Sequence, residues 1–210
     1  MEEWFDIGIE WGAEDQKDEQ PDTEKPKQKR RNTECIERVT NNIYRRAFSE
    51  TQLLDVLPKE LSNGTSYHFI TAGDVDALSY LKVILRQQSL DHCLFSTWCM
   101  SCDDLLQFEE WLVSGKIKKL DAYVGEIFPG SYKMEWKKLN EIFEKYKCGR
   151  IAVFKNHSKI FAGIGDKFAF GIQTSANINT NPRAENGCIT VDKEIYEFYK
   201  SYFDGIISFK

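Results

Sequence analysis

The sequence predicts an α/β domain: a mixed sheet flanked by helices, preceded by an acidic and basic leader with no fold of its own. Three observations lead there. From Tyr67 onward, short β-branched and aromatic runs alternate with stretches of helical periodicity. Two later runs flank Gly165-Asp166-Lys167 as a hairpin, which adds antiparallel strands to the sheet. Residues 15–29 are almost entirely Asp, Glu, Lys, Gln and Pro, and cannot offset their chain entropy by burial.

The leader is 1–32. Its first 24 residues hold ten acids and one lysine, a net of −9, and 25–31 carry five cations. Of the total of −5, residues 32–210 therefore keep only −1. A near-neutral folded part is not a general polyanion binder, so any nucleic-acid affinity needs a local patch. Lys25, Lys27, Lys29, Arg30 and Arg31 offer one, or they balance the acids as a solvated linker. Trp4, Phe5, Ile7, Ile9 and Trp11 form an acidic-aromatic segment, either docked on its own domain or read by a protein partner.

Residues 33–66 read as a helical lead-in. Ile36, Val39, Ile43, Ala47, Leu54 and Leu57 recur at steps of three or four and predict a helix over Cys35–Leu57, broken by Pro58 and Asn63-Gly64. The domain proper is 67–210. Tyr67–Thr71 is a strand, Val75–Gln88 a helix, Cys93–Trp98 a strand, and Asp103–Ser114 a helix with Ser101 as N-cap. Leu120–Ile127 is a strand, Lys133–Tyr146 a helix closed by Lys147-Cys148-Gly149, and Arg150–Phe154 a buried strand. Ser158–Ile164 and Phe168–Thr174 make the hairpin, Cys188–Val191 a strand, and Lys193–Phe203 a terminal helix. Phe108, Trp111, Trp136 and Phe143 sit at helical spacing and belong to the core.

Apolar runs such as Ile151–Phe154 fall far short of the ~20 residues of a membrane-spanning helix. The opening Met1-Glu2-Glu3 lacks the basic and apolar regions of a secretory leader, which predicts a cytoplasmic location with no membrane partner. The six cysteines are then reduced thiols.

Chemistry concentrates in one place. His157 and Lys159 stand two apart at a strand start and share a side. The hairpin returns Ser175 and Asn177, again two apart, to the same spot. An ammonium, a hydroxyl and an amide cradle a phosphate oxygen, and a histidine among them can attack phosphorus or protonate a leaving oxygen. Glu185 is placed to hold the imidazole.

This pattern resembles the phospholipase D superfamily, whose signature is H-x-K-x4-D followed by G-S-x-N and a later acid. His157, Lys159, Ser175, Asn177 and, by position, Glu185 carry the resemblance. Ser175–Glu185 is also similar to single-motif members of bacteriophages and mobile elements. The resemblance implies a phospholipase D-like sheet and a histidine that becomes phosphorylated, with no metal and no cofactor. With one motif copy, it implies a homodimer that pairs two His157 side chains across a two-fold axis. The chain departs from the signature at Ile164, where the aspartate falls, and at Thr174, where the glycine falls. Three functions stay open: a nucleic-acid phosphodiesterase acting through His157, a silent binding module of the same fold, and a thiol oxidoreductase built on Cys99 and Cys102.

Overall fold

The computed structural model describes residues 40–178 and 183–209. The leader, with its acidic-aromatic segment and cationic run, lies outside them.

One eight-stranded sheet organises the chain, in the order β1-β2-β8-β7-β6-β3-β4-β5. Its elements are β1 (Asn41–Ser49), α1 (Glu50–Val56), β2 (Thr65–Asp74), α2 (Ala77–Leu85), β3 (Leu90–Thr97), α3 (Cys102–Val113) and β4 (Leu120–Gly125). They continue with α4 (Phe128–Ser131), α5 (Lys133–Tyr146), β5 (Ile151–Phe154), β6 (Ile160–Gly165), β7 (Ala169–Thr174), β8 (Glu185–Val191) and α6 (Lys193–Asp204). Strands β3, β4 and β5 run parallel, and β6, β7 and β8 extend the sheet antiparallel from β3 to β2.

The largest departure from expectation is the lead-in. Where the apolar stripe predicts a helix over Cys35–Leu57, the described part holds an edge strand, Asn41–Ser49, pairing parallel with β2, followed by a short helix, Glu50–Val56. Pairing with β2 gives that backbone a long-range ladder of hydrogen bonds, and tertiary context of this kind overrides a local three-four stripe.

Capping sets the helix bounds. Ser101 and Asp104 form a capping box at the start of α3. Asp76 accepts from the Ser79 amide at 2.8 Å and opens α2. Lys147, at φ 49°, closes α5 in the left-handed conformation. Buried Gln88 pins the hairpin turn: its Oε1 accepts from the Lys167 and Phe168 amides at 2.9 and 3.0 Å, and its Nε2 donates to the Phe168 carbonyl at 2.9 Å.

The sheet buries two cores. The larger packs α2, α3 and α5 on one face, around Phe95, Phe108, Leu81 and Ile172. The smaller lies under α6, around Leu94, Tyr123 and Phe203. A Cβ at Gly171 would collide with Ile195, so that glycine lets α6 approach the sheet closely. His92 is buried there between the Tyr196 hydroxyl and the Asp121 carboxylate, each 2.8 Å from a ring nitrogen. Burial opposes the Asp121 charge, yet bonds from His92 and the Arg150 amide hold its carboxyl below the usual range.

Glu109 ties α3 to α5 by accepting from Lys138, Lys145 and Tyr146 at 2.7, 3.1 and 2.9 Å. The two lysines lower its carboxyl from 4.5 to about 2. Its contribution is therefore full above pH 4.5 and is lost as pH falls from there toward 2. Urea denaturation of Glu109→Gln should show a loss of about 1 kcal/mol at pH 7, with the gap to wild type closing below pH 4.5.

Candidate functional site

The candidate site lies where β3, β4, β5 and β7 end and β6 and β8 begin. Ligand sites of open α/β sheets commonly lie off such carboxyl ends.

One buried amide builds the corner. Asn156 follows β5 and is 7% exposed. Its Nδ2 donates to Ser96 Oγ at 2.9 Å and to the Tyr123 carbonyl at 3.1 Å, tying the segment to β3 and β4. Its Oδ1 accepts from the Ser158 amide at 2.9 Å and the Ser158 hydroxyl at 2.7 Å. The Ser158 hydroxyl also lies 2.6 Å from Ser96 Oγ. The sequence reading missed Asn156, Ser96 and Ser158. The signal was there in Asn-x-Ser, because an asparagine amide readily bonds the backbone two residues on.

His157 and Lys159 sit in this linker rather than in the strand, since β6 begins at Ile160. They meet nonetheless. Lys159 Nζ donates to the His157 carbonyl at 2.9 Å and lies 3.3 Å from Nδ1. Burial pulls the Lys159 ammonium below its ordinary range, while the Cys99 thiol and the Glu185 carboxylate act the other way.

The hairpin delivers the second half. The Thr174 amide donates to the Lys159 carbonyl at 3.2 Å, which sets Ser175 beside the corner. Thr174 replaces the glycine of the family signature and uses its hydroxyl: Oγ1 accepts from the Ala176 amide at 3.0 Å and donates to the Asn186 carbonyl at 2.8 Å. Ser175 and Asn186 exchange backbone and side-chain bonds at 3.0 Å. Asn177 gives its carbonyl to the Ala77 amide at 3.2 Å. Its buried Oδ1 has no hydrogen-bond partner among the described residues. An acceptor so placed is costly unless a donor reaches it, so the side of Asn177 open to an anion is its amide nitrogen.

Glu185 corrects one expectation. Its carboxylate accepts from the Ser175 hydroxyl rather than holding His157, because it opens β8 two residues before Gly187, the partner of Thr174 at the end of β7. It reaches the corner by its charge on Lys159. Ile164 lies at the other end of β6, paired with Ala169 and packed under α6, so no acid enters the corner from the aspartate position.

A groove of about 620 Å³ runs from Ser175 and Asn186 across His68, Ile70, Gln173 and Cys188. Cys99 argues against the thiol reading. It is buried, and burial pushes its thiol up despite the nearby Tyr132 hydroxyl and Lys159, the opposite of an activated redox cysteine. The Cys102 thiol is also raised. Among the described residues, no group of three or more His, Cys, Asp or Glu is placed to hold a metal ion, and no helix is long and apolar enough to cross a membrane.

No family profile and no curated protein matches the chain. Among solved structures it is similar to a polyphosphate kinase from Porphyromonas gingivalis, with TM-score 0.51 and 12% identity over 69% of this chain. It is also similar to a phosphatidylserine synthase from Haemophilus influenzae Rd KW20, with TM-score 0.52 and 14% identity over 69% of this chain. The chain spans only 26% and 39% of their lengths. The likeness establishes a phospholipase D-like fold: a mixed sheet flanked by helices.

Asn156 satisfies both halves of its amide in a buried place, so its removal leaves several groups unpaired. Asn156→Ala should cost about 3 kcal/mol in chemical denaturation. Faster hydrogen exchange at the Ser158 amide should accompany the loss.

Proposed function

We propose that this protein is a metal-independent phosphodiesterase acting through His157. One observation carries the reading: the Thr174–Lys159 backbone bond joins the His157–Lys159 corner to Ser175 and Asn177. An ammonium, a hydroxyl, an amide and an imidazole then lie within three residues of that bond, a donor set that suits a phosphate. The fold likeness supports phosphoryl-transfer chemistry as the class.

Lys159 and Asn177 bind the phosphate oxygens, and Ser175, held by Glu185, adds a hydrogen bond. When phosphate arrives, Lys159 turns its protons from the His157 carbonyl to the new anion, and His157 reacts as the tautomer with its proton on Nδ1. The Nε2 lone pair of His157 attacks phosphorus, the bond to the leaving oxygen breaks, and a proton is delivered to that oxygen. Water then attacks the phosphohistidine, gives its proton to the group that served as acid, and the P–N bond breaks to restore the imidazole. With one motif in the chain, the acid is His157 of a second copy in a homodimer. The cationic run Lys25–Arg31 favours nucleic acid as the substrate class.

A second reading keeps the phosphate site without turnover, as a nucleic-acid- or protein-binding module. It is favoured by one observation: Glu185 is committed to Ser175, and no carboxylate among the described residues holds His157.

Labelled single- and double-stranded DNA and an activated phosphodiester, incubated in EDTA, separate the two. The phosphodiesterase cleaves, and His157→Ala loses about a thousandfold or more in kcat. Lys159→Ala raises KM about tenfold. A folded wild type that binds DNA but cleaves nothing across pH decides for the silent module.

A further inference from the structure

Trp98 touches the candidate nucleophile, yet the chemistry above gives it no task. It follows the last residue of β3, in a turn fixed by Thr97 Oγ1 donating to the Cys99 carbonyl at 2.9 Å. Its half-buried indole lies against the exposed imidazole of His157, ring centroids 5.2 Å apart and planes at 52°. Beside the indole, β4 ends in Gly125. A Cβ there would stand 2.8 Å from the indole Cδ1 and 3.1 Å from the Asn156 carbonyl, so the glycine makes the seat in which the indole rests. His157 thus has Lys159 at Nδ1 and the indole against its ring, while Nε2 has no partner among the described residues. The carboxylate expected to orient it is engaged elsewhere.

We infer that Trp98 is the positioning residue for His157, its indole holding the imidazole so that Nε2 meets phosphorus. An exposed histidine on an irregular segment otherwise samples several rotamers, and a misplacement of ~1 Å at a reacting atom costs on the order of a hundredfold in rate. The indole performs by packing what a hydrogen-bonded carboxylate performs in a triad. This rests on the reading of the corner as a phosphate site.

The test is chemical phosphorylation of the full chain by phosphoramidate, with His157 and His68 followed separately by peptide mass spectrometry. The imidazole Nε2 lone pair forms the new bond to phosphorus, and the amine leaves as ammonia with the electron pair of the broken bond. Wild type should phosphorylate His157 well ahead of His68. Trp98→Leu should slow His157 about tenfold or more at unchanged half-saturating phosphoramidate, because Lys159 still binds the anion. Trp98→Phe, which keeps a ring, should stay within about threefold of wild type. Trp98→Met replaces the leucine variant if that fails to fold. Should His157 lead His68 in wild type and react equally fast without the indole, the inference falls and the phosphate site stands. Should wild type show no preference for His157, the phosphate site itself falls, and this inference with it.

Discussion

The buried amide of Asn156 is the constraint on which the site depends. Three strands and a linker meet at it: Ser96 on β3, Tyr123 on β4, the end of β5, and Ser158 on the way to β6. An apolar side chain there would leave a carbonyl, an amide and two hydroxyls without this partner, and in a low-dielectric place each loss matters. With it, the backbone of 155–159 is held against the sheet, and two side chains that sequence spacing places loosely become a fixed pair. The hairpin pairing depends on the same anchor, because the Lys159 carbonyl that receives the Thr174 amide belongs to the anchored segment.

The departures from the phospholipase D signature have physical resolutions of different kinds. Thr174 in place of glycine is compatible with the turn, since its hydroxyl closes the bonds the turn needs. Ile164 in place of aspartate is a change of environment: that position is half-buried against the core under α6, where its apolar side chain packs. The charge balance of the corner therefore comes from Glu185 alone among the acids named by the signature, and it acts through Ser175 and on Lys159.

Much of the architecture was legible from Tyr67 onward, from the alternation of strand and helix patterns and, for two helices, from a cap or stop: Ser101 for α3, Lys147 for α5. The lead-in was not, because a three-four apolar stripe over Cys35–Leu57 says nothing about an available sheet edge, and β1 is made by its pairing with β2. The His157–Lys159 contact was legible from spacing, and the return of the hairpin to Lys159 from its register. The partner of Glu185 was not, because which of two nearby groups a carboxylate takes is set by the cross-strand register of β7 and β8. Trp98 was legible only as the end of a strand; its contact with His157 joins two loops 59 residues apart, a nearness no local pattern encodes.

The central claim is that this corner binds phosphate through Lys159. Inorganic phosphate titrated in EDTA into the isotopically labelled full chain, with backbone amide shifts followed by NMR, tests it without reference to turnover. The account predicts saturable shifts confined to residues around Lys159 and Ser175–Asn177, absent in Lys159→Ala. Shifts that do not saturate, that centre elsewhere, or that survive the loss of Lys159 would contradict it.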